Sequence, residues 1–148
     1  VTTILNPAPA ASLPDSMLAL CDFLTPNESE AEALTGLPVT SVDEARIAAA
    51  ALLAKGVGAV IITLGENGAL YHDATQSVHV PVVSAGAVVE TTGAGDAFNG
   101  GFAVALSEGR NVIDAVRFGC ATAGISVTRP GTAPAMPSRS EIDALLAG

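Results

Sequence analysis

An α/β fold with a mostly parallel sheet flanked by helices is the class this sequence predicts, on three observations. Short apolar runs alternate along the chain with segments of helical periodicity. One of the runs, Ala59-Val60-Ile61-Ile62, is apolar at every position, as a strand buried on both faces requires. A glycine-rich turn, Thr91-Thr92-Gly93-Ala94-Gly95-Asp96, stands where an apolar stretch gives way to a helix.

The elements follow in order. Thr3 to Asn6 reads as the first strand, ended by Pro7 and Pro9, which cannot donate to a ladder. Phe23 to Thr25 is the second, and Asn27 to Glu30 opens a helix after it. Ser41 followed by Glu44 has the pattern of a capping box for a helix from Val42 to Lys55, terminated by Gly56. Ala59 to Thr63 is the third strand. Gly65-Glu66-Asn67-Gly68 reads as a turn between Ile61-Ile62-Thr63-Leu64 and Ala69-Leu70-Tyr71-His72, so the sheet gains antiparallel strands there. Val78 to Val83 is a further extended piece, and Ala87-Val88-Val89 ends another apolar extended run. From Gly95 onward the chain reads as mostly helical. Ala97, Phe98, Phe102, Ala105 and Leu106 fall near helical spacing, Asn111 opens a second helix running to about Val127, and Ser138 opens a third to Leu146. No internal repeat, low-complexity tract or domain linker interrupts the pattern.

Composition narrows the function. At 148 residues, the chain has the length of one domain, and 49% hydrophobic against 14% charged residues supports a packed core. Aromatics are only 3%, so that core is built of Ala, Val, Leu and Ile. A net charge of -9 with six scattered Lys and Arg residues argues against nucleic acid as a partner, because a backbone-reading surface needs clustered cations. Cys21 and Cys120 lie far apart in apolar settings and read as buried free thiols, without metal-site spacing. The apolar runs are too short or too broken to cross a bilayer and no signal peptide is visible, so no membrane partner and a cytoplasmic location are expected.

The glycine-rich turn carries the chemistry. At a helix N-terminus the first backbone N–H groups lack intrahelical partners and face the positive end of the helix dipole, so they hold a phosphate without a cationic side chain. Asp96 beside them is read in two ways: as an acid capping the helix, or as a general base that takes the proton from a hydroxyl attacking the phosphate. A dinucleotide fingerprint is excluded because Phe98 stands where its third glycine belongs, and no Gly-Lys-Ser/Thr occurs for a Walker loop. Asn27 and Glu30, at Asn-x-x-Glu spacing after a strand, fit a capping box. They equally fit an amide and carboxylate presented at the carboxyl edge of the sheet, where doubly wound folds bind ligands. Gly65 to Gly68 is by itself an ordinary turn. His72 and His79 lie in the hairpin region and are read as strand or surface residues without a role.

Together these residues resemble the ribokinase-like (PfkB) carbohydrate kinases, whose second signature is spelled here Glu90-Thr91-Thr92-Gly93-Ala94-Gly95-Asp96-Ala97-Phe98. Asn6-Pro7-Ala8-Pro9-Ala10, Thr25-Pro26-Asn27-Glu28-Ser29-Glu30-Ala31-Glu32, Thr63-Leu64-Gly65-Glu66-Asn67-Gly68 and Val127-Thr128-Arg129-Pro130-Gly131-Thr132 agree in order and spacing, so the resemblance covers nearly the whole chain. It implies a ribokinase-like, Rossmann-like sheet, with residues 1-148 forming the C-terminal nucleotide-binding and catalytic half of such a kinase. The N-terminal sugar-binding half and its lid are not in the sequence.

The implied activity is ATP-dependent phosphorylation of a sugar primary hydroxyl, ribose foremost. The alternatives are a kinase for fructose, a nucleoside or another sugar, or a noncatalytic nucleotide-binding fragment. By the resemblance, Asp96 is the base and the Gly93, Ala94 and Gly95 amides form the anion hole. Asn27 and Glu30 position magnesium and phosphate, Thr63, Leu64, Gly65, Glu66, Asn67 and Gly68 lie beside the nucleotide, and Cys120 stands near the adenine where relatives commonly have Asn. A monovalent cation such as potassium would be held by Glu90, Thr92, Ser126, Arg129, Gly131 and Ala135. Here Glu90 is one methylene longer than the usual Asp, and Ala135 lacks a side-chain oxygen. The implied small-molecule partners are the sugar and ATP, and relatives form homodimers.

Overall fold

A computed structural model describes residues Val1–Gly148 and divides them into two compact units, Val1–Val80 and Pro81–Gly148. The first unit is a five-stranded sheet with helices. Its elements are β1 (Ile4–Leu5), α1 (Asp15–Leu18), β2 (Phe23–Leu24), α2 (Glu28–Thr35), α3 (Val42–Ala54), β3 (Ala59–Thr63), β4 (Ala69–Asp73) and β5 (Ser77–Val80). The strands lie in the order β1-β2-β3-β4-β5. β1, β2 and β3 run parallel, and β4 and β5 are antiparallel additions. The predicted turn makes the reversal: Gly65–Asn67 forms one 310 turn, and β3 pairs with β4 from Ala59 opposite Asp73 to Thr63 opposite Ala69.

Side-chain periodicity explains how the helices attach. On α3, Ala45, Ala48, Ala49 and Leu52 repeat at helical spacing and are all fully buried, in one cluster with Leu18, Leu24, Val60, Ile62 and Leu70. Small alanines on that face allow the helix to lie close to the sheet. Ser41 caps α3 by accepting from the Glu44 N–H at 3.1 Å, but the reciprocal bond of a capping box is absent. The Glu44 carboxylate instead takes the Thr40 N–H and hydroxyl, both at 2.6 Å, because Thr40 offers two donors one residue earlier. Those bonds hold its carboxyl below the usual range.

The second unit contains α4 (Ala94–Ser107), α5 (Val112–Ser126), a 310 turn at Ala133–Ala135 and α6 (Arg139–Ala147). Asn111 and Ser138 cap α5 and α6 as the sequence predicts, Ser138 within a complete capping box with Glu141. The α4–α5 contact is glycine-mediated: a Cβ on Gly119 would lie 2.8 Å from the Phe98 ring, and one on Gly101 would lie 2.3 Å from Thr122 Oγ1. Phe98 and Phe102 stack along α4 with centroids 5.9 Å apart.

The extended run expected to end at Val89 is corrected. Residues 81–93 form no strand, and Val88 and Val89 are 64% and 61% exposed. The Val89 and Glu90 N–H groups both donate to the Val127 carbonyl, which ties this segment to the end of α5 without building a ladder. The piece expected to run from Val78 to Val83 stops being a strand at Val80, where the next residue, Pro81, cannot donate.

Candidate active site

In the second unit the site begins with a backbone turn. The Ala94 N–H donates to the Thr91 carbonyl at 3.1 Å, closing a four-residue turn whose third residue, Gly93, has φ 82° and ψ 2°. That is the conformation of the third position of a type II turn, which favours glycine. The helix starts immediately afterwards, with the Ala97 N–H donating to the Gly93 carbonyl. Of the three amides expected to form an anion hole, the Ala94 N–H is bonded within the turn, whereas the Gly93, Gly95 and Asp96 N–H groups have no intramolecular partner. An open Asp96 amide at the third helical position is legible only once the helix start is fixed at Ala94.

Asp96 is exposed and its side chain makes no capping bond. Of the capping alternative, the hydrogen bond is absent while the favourable placement of an acid in the first turn remains, and a free carboxylate stands beside two open amides in the first turn of α4. Such a set can grip an anion through the backbone and accept a proton through the side chain.

Glu90 does something different from a free ligand. Its Oε2 accepts the Gly131 N–H at 2.8 Å, and that bond, with one from the Thr92 hydroxyl, holds its carboxyl below the usual range. Glu90, Thr92 and Gly131 of the predicted cation set are thus brought together, with the Gly131 amide rather than its carbonyl facing the acid. Ser126 turns its hydroxyl to the Ala123 carbonyl and its own carbonyl to the Arg129 N–H, at 2.8 and 3.2 Å. The Arg129 side chain pairs with Glu141, and Ala135 is buried in the 310 turn. No group of three or more His, Cys, Asp or Glu residues is arranged to hold a metal ion. Cys120 is buried on α5, and burial pushes its thiol up to about 12, so it stays neutral at ordinary pH.

The first unit gathers its predicted residues at the carboxyl ends of β2 and β3. Asn27, beyond β2, bridges to Thr63 at the end of β3, and the Thr63 N–H donates to Pro26 O at 3.0 Å. Asn27 and Glu30 form a complete capping box at the start of α2: Asn27 Oδ1 accepts the Glu30 N–H, and Glu30 Oε2 accepts the Asn27 N–H, each at 2.9 Å. Glu30 is 8% exposed and keeps Oε1 outside that box. One such carboxylate fits magnesium, which retains most of its waters and takes few protein ligands. In the turn, Gly65, Glu66 and Asn67 are exposed. Leu64 is buried in the core cluster, so only its backbone is available to a ligand, and its N–H already bonds Gly68 O. Sequence reasoning missed His79, whose Nε2 lies 2.5 Å from the Asn67 carbonyl. The pairing joins two elements twelve residues apart, and no local pattern announces it.

A glycine turn feeding a helix with open amides and a free acid beside them is a donor arrangement suited to an anion. The model of the pfkB family carbohydrate kinases matches residues 1–139, and the chain belongs to that family. It is 45% identical over 141 residues to a ribokinase of Haemophilus influenzae, covering 95% of this chain and 46% of that protein. It is 43% identical over 147 residues to a deoxyribokinase of Salmonella typhi, covering 99% and 48%. Among solved structures, ribokinase of Arabidopsis thaliana complexed with ribose and ATP superposes with a TM-score of 0.95 at 34% identity, covering all of this chain and 48% of that one. The chain thus spans about half the length of the curated relatives it matches.

Proposed function

We propose that the chain is the nucleotide-binding and catalytic part of an ATP-dependent sugar kinase that phosphorylates a primary hydroxyl, with D-ribose giving ribose 5-phosphate as the first choice. The observation that carries this reading is the start of α4: open Gly93, Gly95 and Asp96 amides beside an Asp96 carboxylate with no internal hydrogen bond. In the reaction, the sugar oxygen bonds to the terminal phosphorus of ATP, the bond from that phosphorus to the bridging oxygen breaks, and ADP leaves. Asp96 accepts the hydroxyl proton, and the open amides hold the charge on the transferring phosphoryl oxygens.

Asn27, Glu30, Thr63 and the Gly65–Gly68 turn would serve the nucleotide, with Glu30 Oε1 receiving a water of bound magnesium. Magnesium, when bound, neutralises phosphate charge. A potassium ion held by Glu90 would share that carboxylate with the Gly131 N–H, which already bonds Oε2. Deoxyribose is the competing acceptor, since the deoxyribokinase relative is nearly as similar as the ribokinase one. A reaction that draws on ATP supports a cytoplasmic location, and a homodimer is proposed for the longer protein by analogy alone.

The test is calorimetry with ATP and magnesium alongside a coupled kinase assay offering ribose, deoxyribose, fructose and adenosine. ATP binding by the chain, with ribose turnover by a longer polypeptide that carries it together with a sugar-binding half, is the expected result. Binding without turnover of any acceptor assigns the chain to nucleotide binding alone, and no binding refutes the reading.

A further inference from the structure

The Gly65–Gly68 turn is held by few bonds of its own. Gly65 and Gly68 have φ of 56° and 83°, values open to glycine at little cost, and a glycine at each end leaves the unfolded turn many alternatives. Its internal bonds are Leu64 N–H to Gly68 O at 2.8 Å, Asn67 N–H to Leu64 O at 3.0 Å and Gly68 N–H to Gly65 O at 3.2 Å. His79 adds a bond from another element. It stands on β5 opposite Leu70 of β4, and its Nε2 reaches the Asn67 carbonyl at 2.5 Å. A carbonyl has no proton to give, so Nε2 carries the hydrogen and donates.

We propose that His79 is a positioning residue for the nucleotide: by donating from β5 to the Asn67 carbonyl it fixes the Gly65–Gly68 turn in the shape that meets ATP. The inference rests on the reading of that turn as part of the nucleotide site. His79 itself touches no ligand. Its effect is conformational: without the tether the turn must be ordered when ATP binds, and that ordering lowers affinity.

The experiment uses the 148-residue chain with His79→Ala and with His79→Gln, whose side-chain amide nitrogen offers a donor at a similar reach. Two readouts are taken: amide hydrogen exchange across residues 65–68, and ATP affinity in the presence of magnesium by calorimetry. For His79→Ala, exchange in the turn quickens while the α3 and β3 amides keep wild-type protection, and ATP binds about three- to tenfold more weakly, the range expected for one net hydrogen bond. His79→Gln returns both readouts to within about twofold of wild type, since it restores a neutral hydrogen bond of that size. Wild-type ATP affinity in His79→Ala, or a His79→Gln variant as weak as the alanine, overturns this inference alone. A wild-type chain that binds no ATP overturns it together with the nucleotide reading.

Discussion

Exchanging each of the two glycines of the anion turn for alanine separates folding from ligand binding. Gly93 has φ 82°, and an added Cβ would lie 3.2 Å from Thr132 Cγ2 and 3.3 Å from Thr132 Cβ. The left-handed conformation alone costs an alanine about 1–2 kcal/mol. For a chain of this size, that lowers the melting temperature by about 2–8 °C, and the contact with Thr132 adds to it. Gly95 is the opposite case. It sits in the first turn of α4 with nothing within 4 Å of an added Cβ, so Gly95→Ala leaves stability unchanged or raises it by up to about 1 kcal/mol. Its methyl group nevertheless stands beside an amide assigned to the phosphate, and ATP affinity falls about tenfold or more, a loss of at least 1.4 kcal/mol. Scanning calorimetry gives the melting temperatures and titration calorimetry the affinities. A Gly93→Ala chain that melts with the wild type refutes the conformational argument, and a Gly95→Ala chain that binds ATP normally refutes the assignment of that amide.

Three further outcomes follow from the packing and charges of the second unit. In Gly119→Ala the new methyl meets the Phe98 ring and carbonyl at 2.8 and 2.9 Å, and overpacking of this kind costs about 1–3 kcal/mol, read as a lower urea midpoint. An unchanged midpoint would mean that α4 and α5 do not pack this closely. The Arg129 guanidinium, with the Ser138 N–H and hydroxyl, holds the Glu141 carboxyl at about 2, below the unfolded value of about 4.3. The unfolded chain therefore binds the proton first as pH falls, and the stability this carboxylate contributes above about 4.3 is lost on the way to about 2. Glu141→Gln flattens that acid limb, and an identical acid profile in the variant contradicts the assignment. Cys120, with its thiol pushed up to about 12 by burial, stays unreactive toward a disulfide reagent at pH 8 until the chain is unfolded; rapid labelling of the native protein would contradict its burial.

Much of the architecture was legible because local chemistry decided it. Ala59 to Ile62 is apolar throughout and is buried throughout in β3, Gly65 and Gly68 bracket a reversal, and Asn111 and Ser138 offer cap acceptors just ahead of apolar periodicity. The N-cap of α3 was legible but its partner was not, since Thr40 competes with Ser41 for Glu44 and only the three-dimensional arrangement shows which wins. At the proposed site, the glycine signature marked the start of α4, yet the bonding of the Ala94 amide depends on the turn that Gly93 closes. The bonds from Gly131 to Glu90 and from His79 to Asn67 join distant segments. So does the pairing of Arg139 on α6 with Glu108 just after α4, where Arg139 and Arg110 also cover the Phe118 ring. Helical and strand periodicity carry no information about such pairs.

In the proposed reaction Asp96 takes the proton from the acceptor hydroxyl while the amides around Gly93 and Gly95 hold the phosphate. Turnover of Asp96→Asn in a kinase-active polypeptide carrying this sequence tests it most directly, measured together with ATP affinity. Removing a positioned base lowers kcat by about 10² to 10⁴-fold, and that loss is expected with ATP affinity nearly unchanged. Wild-type turnover in the variant would contradict it.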